Sequence, residues 1–411
     1  MSRDPFDVLK VRSQFPMLDQ NMHEKPLIYL DSAATAHKPI SVIDAIRRFY
    51  AEEYGTVHRA VYDFASLATD RYNAVREQVK EFLNAASTDE IVFTKGTTDA
   101  INLVAASYGR ACLQPGDEII ISETEHHSNI VPWHMVCRER NLYLKTIPVD
   151  DRGRLVLEDY EKLLTSRTKL VSLAHISNST GTVNPIEHII AMAHARGAKV
   201  LIDGAQSASH IPVDVQKLDA DFFAFSGHKA YGPTGIGVLY GKKEILEQMP
   251  PYQGGSDMIE KVTLQSSSYQ PSPLKFEAGT PMIAEVMGLG AALSFIESIG
   301  RDQICLWEDR LLHHATEKLK EIEELRIIGT ADKKGAIITF TVKNLHPLDI
   351  GTLLDIRGIA VRTGHLCAQP TMQRFGVSGV VRVSFGVYNT FEEIDQFIDA
   401  LKEVILSLRP H

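Results

Sequence analysis

Between residues 27 and 240, short apolar runs alternate with longer stretches whose apolar positions recur at helical spacing. The short runs predict strands at 27–30, 90–94, 118–122, 143–147, 169–176, 199–203, 222–226 and 236–240. The stretches between them predict helices over 40–53, 66–86, 98–108, 130–140 and 185–196. The last of these has a readable start, with Asn184 as N-cap, Pro185 in the first turn and Glu187 three residues past the cap. Strands that alternate with helices pair in parallel through crossovers. The expected fold class is therefore α/β, a large domain with a mostly parallel, doubly wound sheet.

The pattern changes after residue 250. Residues 250–283 carry Pro250-Pro251, Gly254-Gly255, a serine triplet and Pro271, Pro273 and Pro281, which predicts an irregular excursion. Two helices follow, then strands at 336–342, 359–363 and 380–385, and a last helix opened by a capping box of Thr390 and Glu393. This grouping predicts a smaller α+β C-terminal domain. The expected division is an N-terminal segment (1–25) packing with the small domain, a large domain (26–284) and the small domain (285–411).

A chain of 411 residues exceeds what one core usually serves, in keeping with two domains. A net charge of −9 offers no basic stripe for nucleic acid, so no nucleic-acid partner is expected. The polar start Met1 to Lys10 lacks a signal-peptide core, and no apolar run is long enough to span a bilayer, so no membrane role is expected. Four cysteines without paired spacing predict a reducing compartment, the cytoplasm being the simplest.

The chemistry concentrates at strand ends. Asp203-Gly204-Ala205-Gln206 closes one apolar run, and Lys229 follows another in Ser226-Gly227-His228-Lys229. Pyridoxal phosphate (PLP) needs a lysine amine to hold it and a carboxylate to keep its pyridine nitrogen protonated. Open α/β sheets place ligands at such carboxyl ends. Gly96-Thr97-Thr98 follows the strand ending at Thr94 and opens a helix, where backbone N–H groups suit a phosphate. The glycine-rich stretch 232–241 fails as a nucleotide loop: Gly235 and Gly241 are one residue too far apart, and Lys243 stands where Ser or Thr is required. In Glu125-His126-His127, an imidazole at His126 could cover a cofactor ring and exchange protons. The histidine pair is a poor metal site, and none is expected.

Cys112, Cys137 and Cys305 lie in apolar helical settings and read as core residues. Cys367 sits instead in Arg362-Thr363-Gly364-His365-Leu366-Cys367-Ala368-Gln369-Pro370, where Arg362 and His365 are near in sequence to favour a thiolate. Arg382 interrupts an apolar run and needs an anion. A substrate α-carboxylate and a protein carboxylate are both open.

These motifs, with Tyr29-Leu30-Asp31-Ser32-Ala33-Ala34, stand in the order found in cysteine desulfurases of the SUF-associated type (type II, SufS-like), a class V aminotransferase group of fold-type I PLP enzymes. The chain resembles that family from Asp7 to the C-terminal helix. The resemblance implies that Lys229 holds PLP as a Schiff base, Asp203 partners the pyridine nitrogen, Gln206 faces the phenolic oxygen and His126 covers the ring. It implies phosphate contacts from the Thr97-Thr98 turn, Ser226 and His228, joined by Thr280 from the partner subunit of a homodimer. Asn178 and Arg382, with Arg362 nearby, would hold the substrate carboxylate, and Cys367 would receive sulfur. The implied reaction turns L-cysteine into L-alanine and passes persulfide sulfur to a SufE-like acceptor and the SUF scaffold, for iron–sulfur cluster assembly. A selenocysteine lyase or another PLP-dependent β-eliminating lyase is the alternative. One departure stands out: many relatives carry a second histidine directly before the cysteine, and here it is Leu366.

Overall fold

The computed structural model describes residues 6–58 and 60–409, so the expectations drawn for residues 1–5 lie outside the described residues. Seven strands form the central sheet: β1 (Ile91–Thr94), β2 (Glu118–Ser122), β3 (Tyr143–Ile147), β4 (Thr168–Ala174), β5 (Lys199–Asp203), β6 (Phe222–Ser226) and β7 (Gly237–Gly241). Their spatial order is β1-β7-β6-β5-β4-β2-β3. Strands β2 to β6 pair in parallel, as the alternating pattern predicts. β7 instead lies antiparallel between β6 and β1. The connection from β6 to β7, residues 227–236, is too short for a parallel crossover, which needs about a dozen residues or more. Every residue of β1, β2, β6 and β7 is buried, because helices cover both faces of the sheet. The edge strand β3 is more exposed and polar, and its Lys145 pairs with the buried Glu118 at 2.9 Å.

A second sheet, in order β8 (Leu325–Ile328), β9 (Ile337–Val342), β11 (Val380–Ser384) and β10 (Arg362–Gly364), is antiparallel throughout. The last helix, Phe391–Ser407, has the capping box read from Thr390 and Glu393. No single helix among the described residues is long and apolar enough to cross a membrane.

Several sequence expectations shift. Of the run at 27–30, Ile28–Tyr29 pairs with Ile359–Ala360 and not with the central sheet. The run is apolar enough for either sheet, and only the chain path selects its partner. Asn184 does not cap the helix Ile186–His194; its amide donates instead to the Ala174 carbonyl at 2.8 Å. That bond removes a cap but ties the loop after β4 to the strand end. The excursion at 250–283 holds an exposed hairpin of Ile259–Val262 and Ser267–Tyr269. Cys112 and Cys305 are only partly buried, whereas Cys137 is buried and Cys367 exposed.

Candidate active site

The carboxyl ends of β4, β5 and β6 open into a cavity of about 480 Å³. Its walls bring together Thr97, Thr98, His126, Asn178, Asp203, Gln206, Ser226, His228, Lys229, Arg362, Cys367 and Arg382, from both parts of the chain. Of the residues proposed from sequence, Thr280 is the one outside this cavity, at an exposed position.

Lys229 stands in a short turn after β6, and Asp203 ends the neighbouring β5. Burial pulls the Lys229 amine down to about 8, against the opposing attraction of Asp203. Burial raises the Asp203 carboxyl, while the Ala205 N–H at 2.9 Å and Lys229 hold it back. Gly204 follows Asp203 because a side chain cannot fit: a Cβ there would lie 2.0 Å from Cζ of Phe223. Gln206 lines the cavity, with its Nε2 donating to the Ala33 carbonyl at 2.7 Å.

At the other end, Gly96 precedes the helix Thr97–Val104. Ser226 Oγ accepts from the Thr97 N–H at 2.8 Å and lies 2.8 Å from its hydroxyl. Thr98 and Ser128 hydroxyls meet at 2.7 Å. His228 Nδ1 lies 3.2 Å from the Thr35 hydroxyl, and burial takes this imidazole down to about 4. Hydroxyls, neutral imidazole and helix N–H groups together make an end suited to an anion.

His126 is placed by its own backbone: Nδ1 accepts from the Ser128 N–H at 3.1 Å, as an N-cap. Burial first, then Lys229, lowers His126 to about 4, so it is neutral at pH 7. Behind it, the buried Glu125 accepts from Ser122 Oγ (2.5 Å), Asn129 Nδ2 (2.7 Å) and the Ala174 N–H (2.9 Å), and burial lifts it to about 7. Asn129 in turn accepts from Trp133 Nε1 and Ser172. This network pins the turn that carries both histidines. Glu125 stands in the motif, but its burial was not readable there.

Arg382, buried in β11, has a protein carboxylate as partner. Its Nη2 reaches Asp31 Oδ1 at 3.2 Å, and Arg362 Nη2 reaches Asp31 Oδ2 at 3.0 Å. Arg382 Nη1 donates to the Asn178 carbonyl at 2.9 Å, while its buried Nε has no protein partner among the described residues. The protein carboxylate is present, and one donor is still left over. The Asn178 amide is also occupied, donating to the Leu366 carbonyl at 2.8 Å.

The Cys367 loop differs from expectation. Arg362 turns to Asp31, and His365 Nδ1 accepts the Cys367 N–H at 3.2 Å. His365 Nδ1 is thereby engaged with the loop's own backbone. Lys229 has an electrostatic interaction with Cys367. Leu366 is buried with Ile328, Met372, Phe375 and Val380, so it anchors the loop where a histidine could not pack as well.

The chain matches the class-V aminotransferase family model over residues 28–397. It is 49% identical over 400 residues to a cysteine desulfurase of Dickeya dadantii, covering 97% of each chain. It is 51% identical to a probable cysteine desulfurase of Mycolicibacterium paratuberculosis and to a cysteine desulfurase of Synechococcus elongatus. It covers 58% and 64% of those two proteins, so it spans about three fifths of their length. Among solved structures, the cysteine desulfurase CsdA of Escherichia coli superposes with a TM-score of 0.92 at 41% identity, over 99% of this chain and 100% of that one. The apo cysteine desulfurase of Thermococcus onnurineus NA1 gives 0.93 at 38% identity, with the same coverage. Fold, order of elements and near-complete alignment agree, and the chain belongs to the class-V aminotransferase family.

Proposed function

We propose that this chain is a PLP-dependent cysteine desulfurase, converting L-cysteine to L-alanine and leaving the sulfur as a persulfide on Cys367. The observation that carries the reading is one cavity holding Lys229, Arg382 and an exposed cysteine thiol. The names of the aligned relatives support it.

The cavity fits the cofactor: a buried amine held near neutrality, a buried carboxyl beside it, and a hydroxyl-lined helix start for a phosphate. Lys229 would hold it, Asp203 its ring nitrogen, Gln206 and His126 its ring, and Thr97, Thr98, Ser226 and His228 its phosphate. Bound there, PLP supplies an electron sink. Arg382 receives the substrate carboxylate through its unpartnered Nε, with Arg362 beside it and Asn178 within the same wall. Lys229 Nζ takes the Cα proton, and its lowering to about 8 brings its titration near the operating pH, which suits it to that task. His126, with Nδ1 engaged, keeps Nε2 for exchange with substrate. The Cys367 thiolate Sγ then attacks the substrate sulfur, the Cβ–S bond breaks with its electron pair left on Cβ, and Cβ takes a proton to become the methyl of alanine.

The functional unit is proposed as a cytoplasmic homodimer that serves a SufE-like acceptor in iron–sulfur assembly. An exposed apolar band (Tyr50, Tyr54, Val61, Tyr62, Phe64) supports association, and so does Thr280, which has no place in its own cavity. Sedimentation should give a dimer; an active monomer that retains cofactor would remove this part.

Cys367→Ser tests the chemistry. It should keep the cofactor absorbance and L-cysteine binding while losing nearly all alanine and persulfide formation. A variant that desulfurates cysteine as fast as the parent would leave β-elimination in its place.

A further inference from the structure

Cys367 is held in an unusual backbone state. Leu366 and Cys367 have φ of 56° and 52°, consecutive left-handed residues that both carry a Cβ. Such a pair persists only when its surroundings hold it. The Leu366 side chain is packed, but it sits before the cysteine. After the cysteine, the Ala368 N–H donates to the His365 carbonyl at 2.8 Å within the loop and Thr371 Oγ1 to the Glu123 carbonyl at 3.2 Å, and two further bonds come from one residue outside the loop. The His127 N–H donates to the Cys367 carbonyl at 2.8 Å, and His127 Nε2 accepts the Gln369 N–H at 3.1 Å.

We propose that His127 is a positioning residue for Cys367, gripping the loop on both sides of Ala368 so that the thiol stays in the cavity. The proposal rests on the desulfurase reading. His127 is itself fixed: it opens the turn His127–Asn129, whose far end is locked into the buried Glu125–Asn129–Trp133 network. The chain of bonds therefore runs from the sheet core to the loop, through an imidazole whose Nε2 accepts from it. His365 is the second imidazole of the grip, with ring centres 5.7 Å apart. It accepts from Cys367 on the loop's own side and so cannot tie the loop to the central sheet. Backbone donation from position 127 is open to every residue except proline. The side-chain half of the grip can therefore be tested by itself.

The test compares His127→Ala and His127→Gln in the cofactor-loaded enzyme, because a glutamine Oε1 can replace Nε2 as acceptor. Persulfide formation after mixing with L-cysteine should fall at least about tenfold in His127→Ala, as expected when a reacting atom is misplaced by an ångström. The KM for L-cysteine and the cofactor spectrum should not change, since His127 lies outside the cavity wall. His127→Gln should recover most of the rate; where the alanine variant does not fold, His127→Leu replaces it. A rate within twofold of the parent for the Ala or Leu variant, or no recovery in His127→Gln, overturns the proposal. Cys367→Ser runs alongside. If it retains parental desulfuration the functional reading fails, whereas a dead Cys367→Ser beside a fully active His127→Ala overturns the grip alone.

Discussion

Replacing Asp31 by asparagine should expose how the anion end of the cavity is balanced. The side chain keeps its shape and loses its charge, leaving Arg382 without a counter-ion. Arg382 has only 4% of its side chain exposed, so water compensates little. At 3.2 Å and an effective permittivity of about 20, the lost attraction is about 5 kcal/mol. The Asn178 carbonyl and the remaining amide oxygen offset part of this, so about 3 kcal/mol is expected, at the low end for a broken buried pair. Arg362 adds little, because half of its side chain is in solvent. Unfolding entropy of about 2.1 cal/mol/K per residue over 411 residues converts this to a fall of about 3–4 °C in thermal midpoint. Calorimetry of the cofactor-loaded protein measures it. Sulfate or acetate should then restore part of the loss in Asp31→Asn and do little to the parent, because the orphaned guanidinium takes an anion from solution. A fall below about 1 °C, with equal anion response in both proteins, would refute a charge-compensated Arg382.

Two further outcomes follow from buried geometry. Gly204→Ala would set a Cβ against the fully buried Phe223 ring, so the strand end must shift. A loss of about 3 kcal/mol is expected, with weaker cofactor retention because Asp203 and Gln206 flank the site. Parental thermal stability in this variant would show that the contact is soft. His175 is buried and held down to about 4, against about 6.5 when unfolded. Below about pH 6.5 the unfolded chain takes up its proton first. Stability is therefore full above that pH and declines towards pH 4, by about 3 kcal/mol from this residue. His175→Gln should flatten the pH dependence of the unfolding midpoint over that window, and an unchanged slope counts against the burial argument.

The amino-acid sequence by itself determined the strands that are apolar throughout, because a sheet covered on both faces needs such runs. It also placed Asp203 and Lys229, since each ends or follows one of them. The direction of β7 was not legible in its composition: five buried residues suit either direction, and the short connection after β6 decides. The contacts of Asp31, Asn178 and His127 were set only by folding. Asp31 meets Arg382 across 351 positions, Asn178 holds Leu366 across 188, and His127 holds Gln369 across 242. Arg382 announced its need for an anion by standing in an apolar strand, but a charge buried locally does not say which carboxylate will answer it. The partner of His365 was hidden for the same reason. Nearness in sequence sets how far an imidazole can reach. Whether it donates or accepts depends on which N–H the folded loop turns towards it, and here that is the N–H of Cys367.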